Sequence, residues 1–403
     1  MRANQYDYII AGAGLAGLSL AAGMAYRPFF RQKRILLLDR DDKTRNDRTW
    51  CFWAKENESL PPVASREWPK GRVLAPGLDV VMRMDGYRYH MIRGADFYAW
   101  AKGEAASHPN LDFVQTAIRE VDAVQGRVVA DAGVFEAEWV FNSAFAPAGL
   151  LPPAGGAYAG APFSEGAGMG QGADRYLFFL QHFKGRFLRA DRDAFDPEQI
   201  TLMDFRIPQE GQTRFVYVLP FSRREALLEF TVFSPALLPP GDYDAALDGY
   251  LRDYMGLDTW EISEEEFGVI PMTDLPLRSE IRGREIPIGT AGGFVKASSG
   301  YAFKRTWRKI GALLDDWERG GRPRPSLMRS PAQFAFFDSV LLRVLCNGQI
   351  GGAEAFAALY GKLPASLVLR FLDEDSSWAD NLRVMAAAPR GPFLKAALQQ
   401  ILR

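Results

Sequence analysis

Apolar and polar positions alternate along this chain in blocks of two kinds, and the order of the blocks predicts the architecture. Residues 6–11 (YDYIIA) are a short apolar run with strand character, and residues 18–26 (LSLAAGMAY) are rich in the helix formers Ala and Leu. A glycine turn at residues 12–17 joins them, and a second apolar run at residues 35–38 ends on Asp39. Further strands are predicted over residues 111–120, 126–137 and 139–144. Residues 149–174, dense in Gly, Pro and Ala, predict a domain boundary. Strand-type residues recur at 176–187, 199–206, 214–219 and 226–233, with polar and glycine turns between them. Residues 243–255 predict a helix, and residues 268–304 are glycine-rich again. From Arg305 onward apolar residues fall at helical spacing, notably through 356–371 and 384–402. The expected organisation is an α/β fold in four segments. Residues 1–150 and 266–320 form a nucleotide-binding domain, 151–265 an inserted β-rich substrate domain, and 321–403 a helical C-terminal region.

Composition narrows the function classes. A 403-residue chain with 48% hydrophobic and 24% charged residues is folded rather than disordered and exceeds one small core. Its net charge of −1 lacks the basic footprint of a nucleic-acid binder. Two distant cysteines, Cys51 and Cys346, exclude a disulfide framework and a thiolate zinc cluster, and fit a reducing cytosol. His90, His108 and His182 have no metal-ligand spacing, so no metal is expected. The glycine-punctuated run after Asp7 does not read as a secretory signal. The most apolar late run, residues 334–345, is interrupted by Asp338 and Arg343 and is too short to span a bilayer. The expected location is the cytoplasm.

The first glycine turn, Gly12-Ala13-Gly14-Leu15-Ala16-Gly17, has the G-x-G-x-x-G pattern in full strand–turn–helix–strand context. Gly12 permits the tight turn, Gly14 lets a pyrophosphate approach the backbone, and Gly17 lets helix pack on strand. The phosphates then meet free N–H groups at a helix N-terminus, where the macrodipole favours negative charge. Asp39 stands where a carboxylate accepts hydrogen bonds from ribose hydroxyls. An acid here favours FAD or NAD over NADP, and cofactor contacts are expected at Gly12, Gly14, Leu15, Ala16, Gly17, Asp39 and Arg40. A second stretch, residues 287–301 (PIGTAGGFVKASSGY), has an apolar lead-in, a glycine cluster and a small-polar turn before a helix. Backbone there also comes close to a ligand, at Gly289, Gly292, Gly293, Ser299 and Gly300.

With these motifs in place, the chain resembles the flavoprotein lycopene cyclases of bacteria and plants. The resemblance is carried by the first glycine motif, Asp47-Arg48-Thr49-Trp50-Cys51-Phe52, YHMIRGADF at 89–97, Met203-Asp204-Phe205-Arg206, Leu228-Glu229-Phe230-Thr231, and the second motif ending Ser299-Gly300-Tyr301. It implies a glutathione-reductase-like FAD-binding Rossmann fold with an inserted β-sheet substrate domain. It also implies bound FAD kept reduced, with NAD(P)H as reductant only, and a redox-neutral cyclisation of the linear ends of lycopene to β-rings. Arg48, Thr49 and Trp50 are then expected near the isoalloxazine, and Ile118 at the adenine through its backbone. The chain departs from the family in three places. Phe230 follows the glutamate where a second acid is common, Ser299 replaces threonine, and Asn142 replaces aspartate.

Such a reaction is acid–base chemistry on a hydrocarbon. In ALLEFTVF, Leu227, Glu229, Thr231 and Phe233 share one face by period-two alternation. A carboxyl on an apolar face is kept protonated by desolvation, so Glu229 is the candidate acid, and once ionised it could also accept the departing proton; by resemblance it matches the family's essential glutamate. Asp204 is the second candidate, against the reading that it only pairs with Arg206 on the same face. Tyr217, Phe221 and Phe230 offer π faces to a cation. Two alternatives remain: a flavin-dependent monooxygenase or polyprenyl reductase on the same fold, and a non-catalytic flavin or lipid carrier. Gly289-Thr290 counts against the first, because aromatic hydroxylases carry Gly-Asp there. A linear carotenoid resides in a bilayer, so peripheral contact with the inner membrane face is expected. Phe334, Phe336 and Phe337 with Arg383, Arg390 and Lys395 are the candidate surface.

Overall fold

The computed structural model describes residues 4–63, 66–144, 176–275, 281–320, 330–348 and 350–402. The expected boundary at 149–174 falls almost wholly outside them. The chain begins β1 (Gln5–Ala11), α1 (Leu15–Ala25), β2 (Ile35–Asp39), β3 (Thr49–Lys55), β4 (Arg66–Trp68), β5 (Lys70–Ala75), β6 (Leu78–Arg83), β7 (Tyr87–Arg93), α2 (Gly94–Ala106), β8 (Leu111–Gln115), β9 (Ile118–Asp122), β10 (Arg127–Ala130) and β11 (Gly133–Asn142). It continues with β12 (Phe178–Ala190), β13 (Gln199–Asp204), β14 (Thr213–Pro220), β15 (Glu225–Ser234), α3 (Pro240–Gly249), β16 (Trp260–Thr273) and β17 (Glu285–Pro287). Six helices follow: α4 (Phe303–Gly320), α5 (Ala332–Asn347), α6 (Gly352–Lys362), α7 (Ala365–Leu372), α8 (Trp378–Ala387) and α9 (Arg390–Ile401).

The first sheet has the order β8-β2-β1-β11-β10-β9, with β17 also on β11. Its β8, β2, β1, β11 and β17 run parallel, and β11-β10-β9 form an antiparallel meander. The inner parts of β1 (residues 8–11) and β2 (residues 35–38) are continuous buried apolar runs because both faces of a parallel sheet are covered. On one face α1, α2 and α4 close a core containing Tyr8, Leu18, Leu37, Phe97, Phe141, Leu313 and Trp317.

The second sheet has the order β16-β12-β15-β14-β13-β5-β6 and is antiparallel apart from the parallel pair β13 and β5. Two of its strands, β5 and β6, come from within the first 150 residues, so sheet pairing does not follow the expected segments. The expected boundary at 265/266 likewise falls inside β16, which runs unbroken through Trp260–Thr273. One face packs on α3 and a π-helical turn at Tyr250–Tyr254, through Val216, Leu228, Phe230, Tyr243 and Leu247. The other face packs on the small sheet β3-β7-β4 and on α5, α6 and α7, through Trp53, Tyr89, Tyr217, Leu227, Leu342, Phe356 and Leu369. β3 therefore divides two cores. Trp50, Phe52 and Ala54 point to the nucleotide-binding side, and Cys51 and Trp53 to the second sheet.

Candidate active site

The glycine turn adopts the geometry its residues predict. Gly12 has φ +103°, and a Cβ on Gly17 would stand 1.8 Å from the Gly12 carbonyl oxygen, so helix and strand approach as only glycine allows. A Cβ on Gly14 would meet nothing within 4 Å, which leaves the backbone open to a ligand. Gly14 is the N-cap of α1 and supplies no side chain, and the first turn carries no acid. The N–H groups there are free to bind an anion. Leu15 and Ala16 are the first residues of α1, so their amides belong to that end. Asp39 accepts from the Ala13 N–H at 2.6 Å and the Asp41 N–H at 2.9 Å, which clamps the turn to the end of β2. Arg40 is exposed, and Ile118 opens β9 of the meander.

The second motif folds onto the first. A Cβ on Gly289 (φ +64°) would stand 3.1 Å from the Ala16 Cβ, and one on Gly292 2.5 Å from the Pro287 carbonyl oxygen. Gly293 and Gly300 also have positive φ. Ser299 Oγ is buried without a hydrogen-bond partner, as expected of a polar group that meets a ligand. These residues fit a dinucleotide with its phosphates at α1 and its far end along residues 289–300. Gly300 lies against Gln181 of β12, which brings this motif onto the inner face of the second sheet.

Across that face runs one row of paired residues: Tyr217 on β14, Glu229 on β15, Gly185 on β12 and Glu266 on β16. Gly185 has no side chain, and both glutamates fold over it. A Cβ there would stand 2.9 Å from Glu229 Cγ and 3.0 Å from Glu266 Cγ. Burial pushes the Glu229 carboxyl well above its usual range, and the charge of Glu266 adds to this. Glu266 is pushed up to about 7, chiefly by burial, against the Thr49 hydroxyl, which donates to Oε2 at 2.7 Å. The surrounding walls are Cys51 and Trp53 of β3, Tyr89 of β7, and Tyr301 of the second motif. The Tyr89 and Tyr301 hydroxyls are 3.1 Å apart, and the Trp53 and Tyr301 rings meet edge to face at 4.5 Å. Burial holds the Cys51 thiol and the Tyr89, Tyr217 and Tyr301 phenols neutral, each raised above its ordinary value.

Other expected residues lie elsewhere. Asp204 is fully buried but on the opposite face, where it pairs with Val216 in register rather than with the glutamate row. Arg206 binds it at 2.5 Å, and Tyr250 donates to it at 2.8 Å. Asp204 is thus the anchor of a local ion pair, which corrects its reading as a second acid of the site. Of the β3 residues, Thr49 reaches the Glu266 carboxyl, whereas the Trp50 ring is buried among Phe97, Tyr98 and Phe303. The half-exposed Arg48 pairs with Asp47 at 3.1 Å. Phe334 is buried and Phe336 and Phe337 are half-buried, so the expected membrane surface is not built from them. Beyond Tyr301 lies a cavity of about 170 Å³ lined by Trp53, Phe303, Lys304, Arg305, Asp373 and Glu374. Ion pairs cross it, and it is smaller than the roughly 300 Å³ of ordinary ligand pockets. Lys296 with Asp338 and Glu374, and Lys304 with Asp373, tie the C-terminal helices to the second motif and α4.

Glu266 is the residue that the sequence did not reveal. It ends the run Glu264-Glu265-Glu266, whose members take three different partners. Glu264 pairs with Arg93, Glu265 with Arg186 at 3.0 Å, and Glu266 turns inward. The signal available was alternation, since period two puts the middle acid on the opposite face from its neighbours.

Two converging glycine motifs, joined to a second sheet whose inner face carries two buried carboxyl groups, define an α/β fold of the dinucleotide-binding type. The chain belongs to the lycopene cyclase family: the family model described as lycopene cyclase protein matches residues 7–398. A lycopene beta-cyclase from Paracoccus sp. (strain N81106 / MBIC 01143) is 27% identical, over 96% of this chain and 95% of the relative. One from Pseudescherichia vulneris is 25% identical, over 97% and 96%. The family is one of enzymes acting on lycopene. In fold, the chain is similar to a geranylgeranyl bacteriochlorophyll reductase-like protein from Thermoplasma acidophilum, with TM-score 0.64, 12% identity and coverage of 98% and 99%. It is also similar to a variant of the halogenase PltM in complex with FAD, with TM-score 0.58, 15% identity and coverage of 99% and 92%.

Proposed function

We propose that this enzyme closes the linear ends of lycopene to β-rings by redox-neutral carbocation chemistry, with Glu229 as the acid and FAD bound in its reduced form. The observation that carries the reading is Glu229 itself: a buried carboxyl, held protonated by desolvation, on the sheet face that meets the second glycine motif. Gly12, Gly14, Leu15, Ala16, Gly17 and Asp39 would hold the adenine dinucleotide half of FAD, and Gly289, Gly292, Gly293, Ser299 and Gly300 the flavin half. Held there in its reduced form, FAD would supply negative charge to a site that develops a cation, without net electron transfer, and NAD(P)H would serve only as its reductant.

Glu229 donates its proton to a terminal double bond. The neighbouring double bond attacks the cation and closes a six-membered ring, and loss of a proton leaves the ring alkene. Burial excludes water that would trap the cation as an alcohol. The neutral rings of Trp53, Tyr89, Tyr217 and Tyr301 supply π faces beside it. Anaerobic incubation with lycopene and chemically reduced FAD, followed by pigment analysis, tests this. Cyclic carotenoid without stoichiometric NADPH oxidation is expected, and oxidation coupled one-to-one with substrate would instead support the monooxygenase or polyprenyl reductase reading.

The substrate reaches the protein from a bilayer, and the support for a docking face is on the last two helices. Trp378, Leu382 and Met385 on α8, and Leu394, Leu398 and Ile401 on α9, are exposed at i, i+4, i+7 spacing. Residues 381–402 include Arg383, Arg390 and Lys395 and no acid, which suits anionic headgroups. No helix among the described residues is long and apolar enough to cross a membrane. Binding to anionic vesicles, weakened by replacing Leu394 and Leu398 with serine, is expected in sedimentation. Equal binding by the variant would reject this face.

A further inference from the structure

The glutamate row contains one group that the reading above leaves without a role. Glu266 faces Glu229 across Gly185, with one oxygen held by Thr49 and the other, Oε1, buried without a partner. A carboxylate oxygen sealed from water and from every donor is costly unless it serves something that passes through the site. The groups facing the pair are Thr49 and Cys51 of β3, Tyr89 of β7, Tyr217 of β14 and Tyr301, with Arg93 and Glu264 at the outer end. The thiol and phenols are neutral, and Arg93 is committed to Glu264. Arg93 draws on Glu266 only from the outer end, and among the described residues no cation pairs directly with either carboxylate.

We propose that Glu229 and Glu266 share one proton, and that Glu266 is the base that completes the cyclisation proposed above. Two carboxylates this close in a dry site do not both ionise while the site holds only protein. The resting pair is one acid and one carboxylate. Glu229 gives its proton to the terminal alkene, and both groups are then ionised against the substrate cation. The ring C–C bond forms from the π electrons of the adjacent double bond. Glu266 takes the proton released as the ring alkene forms. Transfer of that proton from Glu266 to Glu229 across Gly185 restores the resting pair. No atom or electron is left over, and the dianionic state exists only while a cation neutralises it. This arrangement supplies the second acid that Phe230 removes from its familiar place after Glu229, now from a strand two positions away in the sheet.

The test uses the FAD-loaded enzyme, reduced anaerobically, and compares wild type with Glu266→Gln and Thr49→Val. Glu266→Gln keeps an acceptor for the Thr49 hydroxyl but is not a base. It is expected to retain FAD and lose turnover on the order of 100-fold or more across the pH range. Thr49→Val removes the hydrogen bond that favours ionised Glu266, so the acid limb of its pH–rate profile moves to higher pH. Infrared titration without substrate reads the pair directly. Above pH 7 the wild type is expected to show one protonated carboxyl from the pair, ionising at lower pH in Glu266→Gln because the like charge is gone. Wild-type turnover and an unchanged profile in Glu266→Gln would overturn the inference, as would two protonated or two ionised carboxyls in the wild type just above pH 7. Absence of cyclic product from active-site-intact wild type would instead remove the cyclase reading, and this inference with it.

Discussion

Replacing Gly185 by alanine puts a methyl group where two catalytic side chains fold together. The new carbon would lie 2.9 Å from Glu229 Cγ, 3.0 Å from Glu266 Cγ and 3.1 Å from Leu227 Cδ1. Carbon atoms prefer separations of about 3.5–4.0 Å, so each neighbour has to retreat by roughly 0.5–1 Å. Overpacking of this kind costs about 1–3 kcal/mol, and replacing a strand glycine returns about 0.5–1 kcal/mol. The net loss, about 0–2.5 kcal/mol, is small against ordinary fold stabilities of about 5–15 kcal/mol. Catalysis is more sensitive, because a 1 Å misplacement costs on the order of 100-fold. Gly185→Ala is therefore expected to bind FAD normally, melt within a few degrees of wild type and turn over lycopene about 10–100-fold more slowly. Thermal melts, flavin retention and anaerobic turnover on one preparation make the assay. Wild-type turnover in Gly185→Ala would show that the close approach of the carboxylates has no bearing on the reaction.

Further consequences follow from the same geometry. The folded chain keeps protons on Glu229 and Glu266 that the unfolded chain releases near 4.5, with Glu266 up at about 7. The stabilising contribution is complete below pH 4.5; the share of Glu266 is lost as pH rises through about 7 and that of Glu229 as pH passes its own raised value, at about 1.4 kcal/mol per pH unit for each retained proton. Glu266→Gln flattens that slope in urea melts between pH 5 and 7, and an unchanged slope would contradict it. Asp204→Asn weakens the bonds from Arg206 and Tyr250, and is expected to lower stability by about 1–3 kcal/mol while leaving turnover per folded molecule intact. The half-exposure of Arg206 favours the lower figure. A proportionate loss of turnover would restore Asp204 to the chemistry. Gly14→Val places its side chain in open space, so it keeps the melting temperature and weakens FAD binding at least about 10-fold, as read by flavin fluorescence. Unweakened binding would move the phosphates away from α1.

The parts of the fold legible in sequence are those whose signals are local. Strand, glycine turn, helix and Asp39 follow one another within forty residues, and each constrains the next. Glu229 was legible because alternation with Leu227, Thr231 and Phe233 marks a buried face without knowledge of its neighbour. What alternation does not disclose is the partner across the sheet. Residues 229 and 266 meet only because β12 lies between β15 and β16, and because its residue at that point is Gly185. An acidic run such as Glu264-Glu265-Glu266 looks solvated by composition, although its members diverge once the strand is formed. The same alternation explains Asp204: one residue's displacement in register puts it on the α3 face, where Arg206 and Tyr250 satisfy it. The sheet's recruitment of β5 and β6 from the N-terminal segment was equally hidden, since strand pairing across more than a hundred residues leaves no local trace.

The central claim is that a buried carboxyl, not electron transfer, drives the reaction. The most direct measurement is anaerobic conversion of lycopene by the reduced-FAD enzyme, wild type against Glu229→Gln, with flavin retention confirmed in both. Cyclic product from the wild type without net flavin oxidation, and a loss on the order of 100-fold or more in Glu229→Gln, is the predicted result. Product formed at the wild-type rate by Glu229→Gln would contradict it.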